Sequence, residues 1–433
     1  MSDSRTQQEK QHILLGFAQR FYITWDTFIA NDLFTYAAAG AYSFLLSAFP
    51  VMLMVLVILL RFLRASPEVV DDLTGSLNVL VSSINIADIL RSVMAVKRIG
   101  FFEIILGFSI FWMARRFFAS IQQSMRVIYR KRGKFKPIKE NLVVLGGEAV
   151  LVVLIVLGAV TVTAGNAIFG SALTESLLSP LARDIARNVL RFAPIGIIFA
   201  FLFLVYYFTP RVKPPAPHCA LAAAACTAAI LLVQTLFGSL VNMARYNIVY
   251  GIFANVIVLL LEVYLFFVLF LFFAQFQFIL QFYDSFLLAR LYLLPPYHAA
   301  DIGSQFERVM FINPSLFYRR YALSKREGEV IFAQGEDSSE LYYVWAGTVD
   351  LVRENRVSEI GRGGMFGEFA TLLGIGRTAT AVAATDCVVL RIPSELFLET
   401  IEVDGKVSHR TLLAVSDYVR KNHLEVLLDE THS

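Results

Sequence analysis

Phe366-Gly367-Glu368-Phe369-Ala370-Thr371-Leu372-Leu373-Gly374-Ile375-Gly376-Arg377-Thr378-Ala379-Thr380 gathers, in one short stretch, the polar parts of a cradle for a phosphate attached to a sugar. An anion held inside a small domain needs free backbone N–H groups, best supplied by glycine at the start of a short helix, and a guanidinium to neutralise it. Gly367 and Arg377 fit these two tasks. Glu368 offers an acceptor for a sugar hydroxyl, and the Thr378 hydroxyl can reach a phosphate or a base edge. Phe366 and Phe369 flank the Gly-Glu pair and complete the candidate site.

Upstream lie Gly328-Glu329-Val330-Ile331-Phe332-Ala333-Gln334-Gly335 and Leu341-Tyr342-Tyr343-Val344-Trp345-Ala346-Gly347-Thr348-Val349. Short β-branched and aromatic runs broken by Gly, Glu, Asp and Ser clusters predict an all-β unit. From about Phe311 to about Val419 the chain resembles the cyclic nucleotide-binding domain family. That resemblance implies a small jelly roll, a cyclic nucleotide as ligand, and binding through Phe366, Gly367, Glu368, Phe369, Arg377 and Thr378. From Ser394 to Leu428 the pattern becomes helical, with Leu396, Phe397, Ile401, Leu412, Leu413 and Val415 apolar. The resemblance implies that this helix closes over the ligand. A threonine at position 378 accompanies guanine in some members and only helps hold the phosphate in others, so cAMP and cGMP both stay open, cAMP ahead. The bland alternative is a jelly roll that has kept its shape and lost its ligand.

The rest of the chain is built for another solvent. In 433 residues, 57% are hydrophobic and 38 are Phe, with a mean hydropathy of +0.62. This is the composition of an integral membrane protein with room for more than one domain. The formal charge of +3, from 38 basic and 35 acidic residues, is too balanced for a nucleic-acid binder. Cys219, Cys226 and Cys387 have neither metal-ligand nor disulfide-framework spacing, and the 6 histidines are scattered, so no metal is expected. Residues 1–32 lack the pattern of a secretory signal. Ile13, Leu14, Phe17, Phe21 and Trp25 fall near one helical face beside Arg20, which predicts a helix in the cytoplasmic interface.

A bilayer core requires about 20 apolar residues per helix. Tyr36–Leu60, Ile99–Phe118, Leu142–Gly165, Phe192–Phe208, Ala220–Val241 and Gly251–Leu280 meet that requirement, giving six predicted spans. Arg130, Lys131, Arg132, Lys134, Lys136 and Lys139 crowd the loop between the second and third spans, which places it, both termini and Pro210–Lys213 in the cytoplasm. The segment Phe62–Arg98 then lies outside and suggests short amphipathic helices, despite its own basic residues.

Over roughly Phe28 to Ala289 there is a second resemblance. The run Tyr36-Ala37-Ala38-Ala39-Gly40-Ala41-Tyr42-Ser43-Phe44-Leu45-Leu46-Ser47-Ala48-Phe49-Pro50 looks like the opening signature of the YihY/BrkB membrane family, once mislabelled as a ribonuclease, and Tyr246–Gly251 resembles the turn before its last span. Glu262 stands where that family usually has Trp, and Phe273-Ala274-Gln275 where it usually has Gly-Ala-Glu. Independently of the family, the small residues from Ala37 to Ser47 give a helix with a narrow side that a neighbour can approach closely. Ionisable groups at depth are costly, which makes Glu148 and Glu262 candidate pathway residues, with Arg245 a counter-charge; a structural ion pair or a protonated acid is the alternative.

The expected fold is an all-α six-helix transmembrane bundle followed by a cytosolic β jelly roll with flanking helices. The expected partition is an interfacial helix (1–32), a membrane domain (33–284), a helical linker (285–310) and a nucleotide-binding domain (311–433). The favoured function is a bacterial inner-membrane transporter or exporter of a lipid or envelope component, regulated by cyclic nucleotide. Its partners are membrane lipids, the nucleotide, an unidentified transported substrate and, by analogy, further copies of itself. A non-transporting nucleotide-sensing scaffold is the rival. A cyclic-nucleotide-gated channel is disfavoured because no Thr-Val-Gly-Tyr-Gly filter and no repeated arginine sensor occur. The soluble part lacks clustered acid–base residues for a ribonuclease and the chain lacks a Walker motif, so no enzyme is expected.

Overall fold

The computed structural model describes residues 2–61, 119–129, 146–147, 153–154, 157, 180–210, 212–240, 252–294, 302–312, 315–353 and 356–430. The predicted span Ile99–Phe118, most of Leu142–Gly165, the segment Phe62–Arg98, the basic positions 130–139 and the Tyr246–Gly251 signature lie outside the described residues. The chain divides into two compact units, Thr24–Gln281 and a second made of Met1–Ile23 with Phe282–Ser433.

Helix α1 (Ser2–Ala30) carries the unit boundary, and α2 (Leu33–Arg61), α3 (Pro180–Phe208), α4 (Ala216–Leu240) and α5 (Ile252–Gln281) belong to the first unit. Within α4 and α5, Ala216–Leu236 and Ile257–Gln281 are long and apolar enough to cross a membrane. Helix α5 packs against α2 and α4, and α3 packs against α4. The narrow side of α2 is where α5 comes closest: Ala37 and Ala41 are buried, and a Cβ on Gly40 would lie 2.6 Å from the Phe267 ring. In a bilayer, where apolar side chains gain little by leaving lipid, such close approach is what holds helices together. Cys219 and Cys226 are likewise buried small side chains, and all three cysteines are free.

The second unit holds two four-stranded antiparallel sheets, ordered β1-β8-β3-β6 and β2-β7-β4-β5. The strands are β1 (Ala322–Lys325), β2 (Val330–Phe332), β3 (Leu341–Ala346), β4 (Val349–Arg353), β5 (Arg356–Ile360), β6 (Met365–Phe366), β7 (Thr380–Ala383) and β8 (Cys387–Ile392). Phe332, Tyr342, Val344, Val349, Phe366, Ala381 and Val389 form the core between them. Burial alternates along β7, the mark of a sheet with one face on the core. At the β3–β4 turn Gly347 has φ +82°, and a Cβ there would strike the Asp386 carbonyl at 2.6 Å, so only glycine fits.

Helices α6 (Tyr283–Tyr292), α7 (Ile302–Phe311) and α8 (Ser315–Tyr321) precede the sheets; α9 (Glu368–Leu373) interrupts them, and α10 (Ser394–Val403) and α11 (Gly405–Glu430) follow. The single helix expected from Ser394 to Leu428 is therefore two. Asp404 leaves the helical region, and its carboxylate Oδ1 accepts from the N–H groups of Lys406 and Val407 at 2.9 and 3.1 Å, capping α11. Helix α6 packs on α10: the Ser285 hydroxyl donates to Glu399 at 2.6 Å, the Thr400 hydroxyl donates to the Ser285 carbonyl at 3.2 Å, and the Tyr292 and Phe397 rings lie 5.7 Å apart.

Candidate functional site: a buried guanidinium under a small cavity

Strand β6 ends in Phe366, and Gly367 turns the chain at φ +90° into the short helix α9, which stops at Gly374 with φ +64°. The loop that follows brings Arg377 back beneath the turn. Its backbone is pinned to the β2–β3 loop, the Arg377 N–H donating to the Glu336 carbonyl at 3.0 Å and the Gly335 N–H donating to the Arg377 carbonyl at 2.8 Å. Gly376 passes so close to Gly335 that a Cβ would sit 3.0 Å from its carbonyl oxygen.

The Arg377 side chain is 2% exposed. Nη1 donates to the Gly367 carbonyl at 3.0 Å and Nη2 to the Ser338 hydroxyl at 2.8 Å. The guanidinium lies 4.1 Å over the Phe332 ring and 5.5 Å over that of Tyr342. The φ of +90° at Gly367 favours glycine, and a Cβ there would lie 2.6 Å from Nη1 and 3.2 Å from the Glu340 carbonyl oxygen. No carboxylate among the described residues pairs directly with this cation, and its Nε has no hydrogen-bond partner. Burial lowers the Arg377 pKa, opposed by Tyr342 and by the more distant Glu336 and Glu340. The Tyr342 hydroxyl, which donates to Glu340 at 3.1 Å, is pushed up to about 12, chiefly by burial and then by Glu340.

Above the arginine is a cavity of about 120 Å³. All six residues expected in the site, Phe366, Gly367, Glu368, Phe369, Arg377 and Thr378, line it. Burial raises the Glu368 pKa, its own backbone N–H and Arg410 pulling the other way. Leu351, Ile360 and Met365, with Phe332 beneath the guanidinium, complete the lining with apolar side chains fit for contact with a planar ring. Sequence reasoning assigned no ligand role to those four, nor to Ser338. Leu351 and Ile360 could have been found as positions on β4 and β5 that face the core, whereas Ser338 is a loop hydroxyl distant in sequence and carried no signal.

Among the membrane-pathway candidates, Glu148 and Arg245 lie outside the described residues, and Glu262 is on the exposed side of α5. Among the described residues of the helical unit, a buried polar network centres on Gln277. Gln277 accepts from the Tyr129 hydroxyl at 2.9 Å and donates to Cys219 Sγ at 3.0 Å and the Tyr206 carbonyl at 3.4 Å, while the Tyr206 hydroxyl donates to the Phe270 carbonyl at 2.9 Å. Gln275, at the point of departure from the family pattern, is fully buried and accepts from Asn31 at 3.4 Å. No cluster able to hold a metal is found among the described residues.

The apolar helices and the anion-ready jelly roll define a membrane protein carrying a ligand-binding domain. The family model Virulence factor BrkB matches residues 24–285, more than half of the chain, and the protein belongs to that family. The model for a cyclic nucleotide-binding domain matches residues 323–404. Among curated proteins, a cAMP-dependent protein kinase regulatory subunit of Eremothecium gossypii is 38% identical over 87 residues, which are 20% of this chain and 19% of that protein. The Debaryomyces hansenii protein of the same description is 44% identical over 69 residues, 15% of each. The chain thus spans less than a fifth of the length of these two relatives. Among solved structures, the Thermus thermophilus catabolite activator protein aligns with 28% identity and a TM-score of 0.24, over 30% of this chain and 61% of that one.

Proposed function

We propose that this protein is a multi-pass inner-membrane transporter of the BrkB family whose flux is set by cyclic nucleotide binding to its jelly roll. The observation that carries the sensing half is Arg377, a nearly sealed cation with an unpartnered Nε beneath a cavity, next to a glycine held at positive φ. An uncompensated charge is costly to bury, and an arriving phosphate offsets that cost. In this reading Arg377 and the turn at Gly367 hold the phosphate, Glu368 accepts from the ribose hydroxyl, Thr378 faces the phosphate or base, and Phe366 and Phe369 shape the walls. The similarity to cAMP-dependent kinase regulatory subunits favours cAMP over cGMP.

The family assignment and the apolar helices support the membrane half. We take it as a six-span bundle with both termini in the cytoplasm and no enzymatic activity, carrying a lipid or envelope component along a path served by Glu148, Glu262 and Arg245. Regulation requires the nucleotide to bind two states unequally. Helix α6 is suited to transmit that difference, since it continues the chain directly from α5 and is clamped by α10, and the Tyr292 carbonyl at its end accepts from Arg410 of α11 at 2.9 Å.

The test is calorimetric titration of the full chain in detergent with cAMP and with cGMP, followed by substrate flux from vesicles with and without the tighter ligand. Binding with a ligand-dependent flux supports the proposal. Binding without any flux, in Glu148→Gln, Glu262→Gln and the unaltered protein alike, makes it a membrane-bound sensor rather than a transporter.

A further inference from the structure

Helix α7 is inside out for a domain surrounded by water. Ile302, Phe306 and Val309, at i, i+4 and i+7, share one face, and they are 82%, 54% and 78% exposed. The inward face carries the buried Phe311 and, beside it, charge: Glu307 pairs with Arg290 of α6 at 2.6 Å, both partly buried, and the half-buried Arg308 shares that side. By apolar area alone, water would favour burying these three side chains over burying one ring and an ion pair, so the exposed face calls for an apolar partner.

Two sets of contacts fix the position of this face along the chain. Tyr283 is the second residue beyond Gln281, where the apolar span of α5 ends. Its hydroxyl donates to Gln19 Oε1 at 2.7 Å, and Gln19 Nε2 donates to the Met310 carbonyl at 2.8 Å, so a single glutamine joins Tyr283 to the residue after Val309. Next to Tyr283, Asp284 pairs with Arg320 of α8 at 2.5 Å, and Arg319 and Arg320 are exposed. Tyr22 seals the far side, its ring 6.0 Å from Phe306 and 5.8 Å from the buried Phe311.

We propose that α7 lies in the polar–apolar interface of the bilayer, on the side bearing the nucleotide site, with Ile302, Phe306 and Val309 inserted among the acyl chains. The occupant of the exposed face is the lipid surface. An amphipathic helix with arginines beside it binds such a surface through its apolar area and through anionic headgroups. The membrane to which α5 delivers the chain is then also the surface against which the sensor rests. The inference depends on α5 crossing the bilayer, as in the proposed function.

The full chain is placed in discs of phosphatidylcholine mixed with phosphatidylglycerol and carries one nitroxide at a time, through Ile302→Cys, Val309→Cys, Leu261→Cys or Val357→Cys; the native cysteines are buried. Nucleotide titration checks that each variant is folded. At 302 and 309 dissolved oxygen is expected to collide with the label more often than a water-soluble nickel chelate, as at 261 on the exposed side of α5, with the reverse at 357 in the β4–β5 hairpin. Nickel dominance at 302 and 309, with oxygen dominance at 261, overturns the inference and leaves the spanning helix intact. Shielding from both reagents with spin–spin broadening also overturns it, because a second copy then covers the face. Nickel dominance at 261 would instead remove the membrane-spanning reading on which the inference rests.

Discussion

Arg377 in the jelly roll and Gln277 in α5 are both polar side chains withdrawn from solvent, and their surroundings treat them in opposite ways. Gln277 is satisfied from both ends, by Tyr129 on one side and by Cys219 and the Tyr206 carbonyl on the other. Arg377 keeps a full charge with two hydrogen bonds, two aromatic faces and one nitrogen left over. A neutral, closed network adds helix-to-helix order and asks for nothing more. An open, charged one is a standing demand for an anion. The same chain thus uses buried polarity to lock one unit and to leave the other receptive.

The strongest way to break that comparison is Arg377→Ala. Two charge-assisted hydrogen bonds to a phosphate are each worth about 1.5–3 kcal/mol, so cAMP affinity should fall by more than about a hundredfold by calorimetry. Arg377→Lys should remain far weaker than the unaltered protein, because a compact ammonium lacks the planar fork that spans Gly367, Ser338 and a bidentate phosphate. Unchanged affinity in Arg377→Ala would show that the cation is structural and the comparison empty.

Gln277→Leu probes the other side. It leaves the Tyr129 hydroxyl buried with no acceptor, which should cost about 1–3 kcal/mol and appear as a lower melting temperature in detergent, with nucleotide affinity unaltered. Adding Tyr129→Phe removes the orphan and should restore part of the loss. If the double variant is worse than the single, Gln277 holds the helices through Tyr206 and Cys219 rather than through Tyr129.

How much of this was legible depends on how far apart the partners lie in sequence. The cradle reads well because Phe366 to Thr378 is contiguous, and a Gly, a carboxylate and an Arg at that spacing have few other uses. Phe332 and Leu351 line the same cavity from other strands and Ser338 reaches Arg377 from a loop, and nothing in their local pattern announces it. The break at Asp404 was readable, since Asp is a helix N-cap residue and Asp-Gly marks a turn, but the longer apolar periodicity concealed it. In α7 the periodicity is plain while its direction is not: a pattern says which residues share a face, and only the Arg290–Glu307 pair and Gln19 show that the apolar face points outward. The polar centre at Gln277 was overlooked for Glu262 because a formal charge draws attention in an apolar helix, whereas a buried amide is the commoner means of joining helices.

Gly40 sharpens the packing half. Its missing side chain is filled by the Phe267 ring, and Gly40→Val should force α2 from α5 at a cost of about 1–3 kcal/mol, read as reduced thermal stability. Phe267→Ala in the same chain should recover part of it by vacating the space. The nucleotide site should bind normally in both, because α2 and α5 belong to the other unit.

The smallest effect is the most discriminating, since it separates stability from binding at one residue. Burial raises the Glu368 pKa, so the folded protein disfavours the ionised carboxylate relative to the unfolded chain. The sign follows from linkage: stability contributed by this group is fully present below its ordinary value of 4.5 and is lost as pH rises through the elevated folded value. Glu368→Gln removes that loss. At neutral pH it should melt slightly higher than the unaltered protein, and the two melting curves should converge as the pH is lowered toward 4.5. Nucleotide affinity should move the other way, weakening in Glu368→Gln because the ribose hydroxyl loses a charged acceptor. A variant that is both more stable and a poorer binder marks Glu368 as a residue kept at a cost for its ligand, the role proposed for Arg377. Equal stability and equal affinity would return it to an ordinary member of α9, and the open character of the site would then rest on the arginine alone.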